Sequence, residues 1–190
     1  MVAPMVHAHP RLESARARLL AVSSIDAVVS VLRETAREIA GSDGISVVLR
    51  DGAFCHYVAE DAIRPLWRGQ RFRLEDCISG WVMLHGRPAV VPDIECDSRL
   101  PVAAYRACAM CSLVMVPIGS PVPVAALGAY WSAWVDPDAD TVRRLQALAD
   151  MATVALTRSQ PTRQDPALGA APAPDTLSPP GLPEAASLGP

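Results

Sequence analysis

The 190 residues, 51% hydrophobic and 19% charged, suffice to bury one full core with flanking segments and are too few for two ordinary domains. A formal charge of −3, with no block of like charges, excludes nucleic acid and anionic membrane as electrostatically favoured partners. The chain has no apolar run of about eighteen residues and no leader pattern at its start, so it is expected in the cytoplasm; there its five cysteines, an odd number, stay reduced instead of forming a disulfide framework.

Apolar residues from Leu12 through Leu19, Ile25, Val28 and Leu32 to Ile39 recur every three or four positions, which predicts a long amphipathic helix. Ser23 with Asp26 three positions later fits a capping box, so a break and restart is expected there. Gly41-Ser42-Asp43-Gly44 ends the helix. The period then changes to two over 45–50, and Asp51-Gly52 turns the chain into a second strand at 54–59.

An irregular stretch through Pro65, Trp67 and Gly69 precedes a short helix closed by Gly86 and a brief strand at 89–91. Residues 92–109 read as a long loop with one helical turn at 103–106, and such loops are often functional. Two β-rich runs, 111–118 and 124–134, form the last hairpin, and a helical stripe from Val142 to Leu156 finishes near Gln160. The eight prolines and missing aromatics of 161–190 predict a disordered tail. Three segments follow: a helical extension over 1–22, one domain over 23–160 and the tail.

Several stretches carry a resemblance: PLWRGQRF at 65–72, CISGWVM at 77–83, Pro92-Asp93-Ile94, DSRLP at 97–101, Tyr105-Arg106, SLVMVPI at 112–118 and ALGAYW at 126–131. Together they are similar to GAF domains associated with bacterial sensor histidine kinases. The resemblance implies an α+β, GAF/PAS-like antiparallel sheet of five to six strands, with the N- and C-terminal helices on one face and a loop-lined pocket on the other. It also implies dimerisation through those helices and a small-molecule or partner signal, without naming a ligand, since members take cyclic nucleotides, haem, bilins or oxoacids. Ala107-Cys108-Ala109-Met110-Cys111 departs from the family, which has Pro-Thr-Phe and a cation there.

Tyr57, Trp81, Tyr105 and Tyr130 are candidate pocket walls, or ordinary core in the case of Trp81. Asp93, Asp97, Arg99 and Ser112 are candidate polar anchors, although exposed aspartates also close loops. Cys108 and Cys111 have the spacing of a redox pair but no second CxxC to complete a metal site, so no metal and no particular cofactor is predicted. Arg64, Arg68, Arg71 and Arg73 read as a solvated face diluted by acids.

The expected function is that of a sensory or regulatory module in bacterial signal transduction. It acts as a homodimer beside a separate signalling protein such as a histidine kinase, with neither nucleic acid nor membrane as partner, and it is not an enzyme. The alternatives are an interaction scaffold with a vestigial pocket and a thiol-dependent free methionine sulfoxide reductase. Against the reductase, the acidic residue expected after Ser112 is absent from Ser112-Leu113-Val114.

Overall fold

The computed structural model describes residues 9–159. The first helical stripe is broken: α1 (Pro10–Ala21) stops, Val22 runs extended, and α2 (Ile25–Ala40) restarts behind a cap. The capping hydroxyl belongs to Ser24, which accepts the Ala27 N–H at 3.2 Å, and not to Ser23 as the spacing predicted. That phase turns Val28, Val31, Leu32 and Ile39 together toward the sheet. Gly41, left-handed at φ 64°, closes α2.

Strands β1 (Gly44–Asp51) and β2 (Phe54–Ala62) form the expected hairpin. Strand β3 (Arg71–Arg73) lies in the stretch the sequence left irregular, because three residues are too short to show a period. A 3-10 turn (Leu74–Asp76) leads into α3 (Ile78–His85), followed by β4 (Ala89–Val91), a second 3-10 turn (Ile94–Cys96) and α4 (Val102–Ala107). Strands β5 (Ser112–Ile118) and β6 (Ala125–Trp131) and the long α5 (Ala139–Ser159) complete the described residues. The tail predicted over 161–190 lies outside them, as do residues 1–8.

The six strands stand in the order β3-β2-β1-β6-β5-β4, every neighbouring pair antiparallel. Alternate residues divide two cores between the faces. Ile45, Val47, Val114, Val116, Leu127 and Ala129 pack under α1, α2 and α5, so the terminal helices share one face as expected. Val48, Leu113, Met115, Ala126 and Tyr130 point the other way, toward α3 and the loops. A bulge at Val58 of β2, where Val47 pairs with Ala59 and Val48 with Tyr57, lets Ala59 serve the helical core while Cys55 and Tyr57 serve the loop face.

The helical layer is stitched by two arginines of α5 about four turns apart. Arg144 donates to the Ile39 carbonyl at 3.1 Å, and Arg158 donates to the Leu19 carbonyl at 3.1 Å and the Leu20 carbonyl at 3.3 Å. These carbonyls end α2 and α1 without helical partners, so the guanidinium groups satisfy them and meet the negative ends of both helices. On the opposite side, α3 touches the preceding turn backbone to backbone: a Cβ on Gly80 would fall 1.9 Å from the Leu74 carbonyl oxygen.

Two predictions follow from this architecture. Gly80→Ala forces α3 away from the Leu74 turn and should lower folding stability by roughly 1–3 kcal/mol or more, read by chemical denaturation. Asp43 accepts the Ser132 hydroxyl at 2.7 Å and the Ser132 N–H at 2.8 Å, which holds its carboxyl below the ordinary range. A lowered carboxyl stabilises the fold above its unfolded pKa and loses that contribution as pH falls through the folded one. Melting temperature should therefore fall less steeply in Asp43→Asn than in the wild type from about pH 5 downward.

Candidate functional site

The loop face carries a cluster of aromatic rings. Tyr57 of β2, Tyr105 of α4 and Tyr130 of β6 converge there, each almost fully buried. Trp67 sits among all three, its ring centroid 5.7 Å from Tyr57, 4.9 Å from Tyr105 and 5.7 Å from Tyr130, in edge-to-face arrangements that ring quadrupoles favour. Phe72 adds a perpendicular contact to Tyr57 at 5.5 Å. The space left among Tyr57, Trp67, Phe72, Cys77 and Tyr105 is about 20 Å³. Small-molecule sites usually run to roughly 300–1,000 Å³, so the loop-lined pocket is present in outline and filled by the protein's own rings.

Trp67 is delivered by the β2–β3 connection, which folds back over the sheet. The Glu60 carboxylate holds this flap by accepting the Leu66 N–H at 3.2 Å and the Arg68 N–H at 2.9 Å, and Gly69, at φ 84°, turns it back into β3. Glu60 is thus a positioning residue for Trp67.

Beneath the rings, polar groups pair with one another. The Tyr130 hydroxyl reaches across Gly128 to the Ser46 hydroxyl at 2.8 Å; a Cβ on Gly128 would lie 2.7 Å from that phenol oxygen, so only glycine leaves it room. The Tyr57 hydroxyl meets Ser79 Oγ at 3.0 Å, and Ser79 Oγ meets Cys77 Sγ at 3.2 Å. Burial pushes all three tyrosine phenols up, so they remain neutral hydrogen-bonding groups.

The family model for the GAF domain matches residues 22–157. This chain belongs to the GAF domain family. Solved structures agree on the fold: the GAF domain of an Acinetobacter phosphoenolpyruvate-protein phosphotransferase superposes with TM-score 0.67 at 13% identity, covering 78% of this chain and 91% of that one. The free methionine-R-sulfoxide reductase of Neisseria meningitidis, solved with its substrate, gives 0.66 at 17%, covering 83% and 96%. The phycoerythrobilin-bound GAF domain of a cyanobacterial phytochrome gives 0.67 at 18%, covering 79% and 96%. No curated protein matches the sequence.

Within this GAF domain, three of the eight candidate pocket residues, Tyr57, Tyr105 and Tyr130, meet in the ring cluster. Trp81 joins a separate group on the outer side of α3, stacked on His85 at 4.5 Å, with the Arg99 guanidinium 4.4 Å and that of Arg87 5.1 Å from its ring. Asp97 clamps Arg99 through two oxygens at 2.9 and 3.2 Å, and this guanidinium keeps the Asp97 carboxyl low. Asp93 caps the turn over Ile94–Cys96 by accepting the Glu95 N–H at 2.9 Å. Ser112 is a knot at the start of β5: its hydroxyl faces the Pro92 carbonyl at 2.6 Å and the Ala133 carbonyl at 3.1 Å and accepts the Val135 N–H at 2.8 Å.

Cys108 turns into the loop-face core, whereas the Cys111 thiol donates to the Ser132 carbonyl at 3.3 Å, so the two thiols of the CxxC spacing have separate surroundings. Arg71 and Arg73 pair with Asp51 and Glu75, as a solvated face would. Sequence reasoning missed Trp67, Glu60 and Ser79 as members of the site. The one signal that could have found them is a bulky Trp67 set between Pro65 and Gly69, since a large apolar ring in a turn needs a place to be buried. Among the described residues, no helix is long and apolar enough to cross a membrane.

Trp67→Ala should cost about 3 kcal/mol and leave a ring-shaped hole in the cluster. Indole at millimolar concentration should then raise the melting temperature of the variant and leave that of the wild type unchanged. Equal responses of the two proteins would show that Trp67 does not fill the pocket.

Proposed function

We propose that this GAF domain is a non-enzymatic regulatory module that acts as a homodimer through α1 and α5, with a ligand face opened only by displacing Trp67. The observation that carries this reading is the contrast between the two faces. The loop face is closed to about 20 Å³, while the groove between α1 and α5 is open, about 490 Å³, and floored by Leu12, Leu19 and Met151. Leu20 and Val154, each more than half exposed, flank this groove. Glu13, Arg16, Asp150 and Arg158 put both signs of charge on its rim, which suits a two-fold partner presenting the same surface.

The solved structures named above include a bilin-bound GAF domain and a reductase with its substrate, so small-molecule binding is within the fold's repertoire. A ligand there acts on the helices only if it binds two of their arrangements with different affinity. The output passes to a separate bacterial signalling protein, of which a sensor histidine kinase is the class the sequence resemblance suggests. Against a methionine sulfoxide reductase stands the size of the loop-face space, which has about the volume of one water molecule and not that of an amino acid. The filled ring cluster also favours a second reading, an interaction scaffold that takes no small molecule.

Sedimentation should show a wild-type dimer. Leu20→Glu combined with Val154→Glu should raise its dissociation constant at least about a hundredfold, because a buried unpaired carboxylate costs several kcal/mol. A monomeric wild type at high concentration would remove the basis for helix-mediated output. Native mass spectrometry with an absorption spectrum separates the sensor, which retains a small molecule, from the scaffold, which does not.

A further inference from the structure

Two of the five cysteines are brought together by the fold in a way their positions, twenty-two residues apart, do not announce. Cys55 lies on the loop face of β2, where it pairs with Phe72 of β3. The Leu74 N–H then bonds back to the Ala53 carbonyl at 2.9 Å, so the turn after β3 is folded onto the start of β2 and Cys77 comes down over Cys55. The two thiols share the loop-face core: Cys77 Sγ stands 3.2 Å from Ser79 Oγ and 3.4 Å from the carbonyl oxygen of Arg73, the residue next to the Phe72 that pairs with Cys55. Both are free thiols, Cys55 fully buried and Cys77 5% exposed. Cys77 is the residue that precedes the first turn of α3, and it also lines the narrow cleft between Phe72 and Tyr105.

We infer that Cys55 and Cys77 form a peroxide-reactive dithiol, with Cys77 as the attacking sulfur and Cys55 as the resolving one. The division of labour follows from their surroundings. Cys77 faces the cleft and the start of a helix, and Cys55 lies beneath it with no route of its own to solvent. The Cys77 thiol is held below the ordinary range, first by its contact with Cys55 and further by Ser79 and the Gly80 N–H, against burial and the Asp76 charge. The same contact with Cys77, together with burial, pushes Cys55 up. The remaining thiols lack this support: Cys96 is raised by its hydrogen bond to Asp93, and Cys108 is raised by burial.

The chemistry balances with hydrogen peroxide as the oxidant. The Cys77 thiolate attacks one peroxide oxygen and the O–O bond breaks. The departing hydroxide takes up the proton released when Cys77 ionised and leaves as water, and Cys77 becomes a sulfenic acid. The Cys55 sulfur then attacks the Cys77 sulfur, the S–O bond breaks, and the leaving hydroxide carries off the Cys55 proton as a second water. Two thiols lose two electrons, and one peroxide becomes two waters. Hydrogen peroxide is close to water in size, so the cleft that excludes an amino acid admits it. The disulfide would tie β2 to the start of α3 directly below Tyr57, whose hydroxyl rests on Ser79, and so fix the floor of the ring cluster.

The test is a titration of the full reduced chain with hydrogen peroxide, followed by peptide mapping without reductant. The expected first product is a Cys55–Cys77 cross-linked peptide, lighter than its two parts by two hydrogen atoms, formed before any change at Cys96 or Cys111. Cys55→Ser should stop at a sulfenic acid on Cys77 that dimedone labels. Cys77→Ser should slow peroxide consumption roughly tenfold, as expected when the lowered thiol is lost and Cys55, Cys96 and Cys108 are all raised. Because the mapping is done on the wild type, it holds even if a variant folds poorly. Cross-links between Cys108 and Cys111, first oxidation at the exposed Cys96, or no cross-link at all would overturn the assignment. Turnover of free methionine sulfoxide would instead overturn the non-enzymatic reading above and leave the pairing to be judged by the map.

Discussion

The central strands have no side chain to spare for water. Every residue of β5 and of β6 is buried, so both faces of the sheet are apolar and both must be covered. On one face the terminal helices do this with long continuous stripes. On the other, only an eight-residue helix, a six-residue helix and loops are at hand, and they do not span the sheet. Large rings make up the difference: Trp67, swung in from a connection and anchored by Glu60, lies over ground that a helix would otherwise occupy. The filled pocket is thus a consequence of how the sheet is covered. Any ligand of that face must match the burial that Trp67 and the tyrosines already achieve.

Close packing on this face is made possible by missing atoms as much as by the groups present. Gly128 is bare so that the Tyr130 phenol can lie flat along the sheet and reach Ser46, and Gly80 is bare so that α3 can rest on the backbone of the turn before it. At Gly128 the missing Cβ brings two hydroxyls into pairing distance. Their pairing matters because an unsatisfied buried hydroxyl costs about 1–3 kcal/mol. The dithiol belongs to the same construction, since the turn that Gly80 accommodates is the one that sets Cys77 over Cys55.

Helical periodicity and glycine punctuation made the elements legible, and the family motifs made the sheet legible, because these are local signals repeated over many residues. The ends of α2 and α3 at Gly41 and Gly86 and the brief strand Ala89–Val91 were readable for that reason. The cap at Ser24 was misplaced by one residue, since either of two adjacent serines satisfies the pattern and only packing chooses the phase. Three tyrosines of the site were found because each lies in a predicted strand or helical turn. Trp67 was not, because its contacts come from a connection whose path depends on Glu60, a long-range effect with no period. Asp93 and Ser112 look alike in sequence whether they bind a ligand or tie loops; here Ser112 pairs with backbone groups, and Asp93 with the Glu95 N–H and the Cys96 thiol.

The proposed link between the two faces has a short physical route, because adjacent residues of one strand point in opposite directions. Tyr130 lies in the ring cluster against Trp67, while Trp131, its neighbour, belongs to the helical core and donates its indole N–H to the Gly41 carbonyl at 3.0 Å, where α2 ends. The Tyr130 carbonyl accepts the Asp43 N–H at 2.9 Å, and the Asp43 carboxylate holds Ser132 on the far side of Trp131. Displacing Trp67 removes a packing partner from Tyr130, and any tilt of the β6 backbone there bears on the cap of α2. From α2 the strain passes to α5 through Arg144 on the Ile39 carbonyl, and from α5 to α1 through Arg158. Contiguity alone does not establish coupling, which requires two arrangements of the helical layer of similar free energy. The groove between α1 and α5 is where two such arrangements would differ most, since it is the seam that the proposed dimer covers.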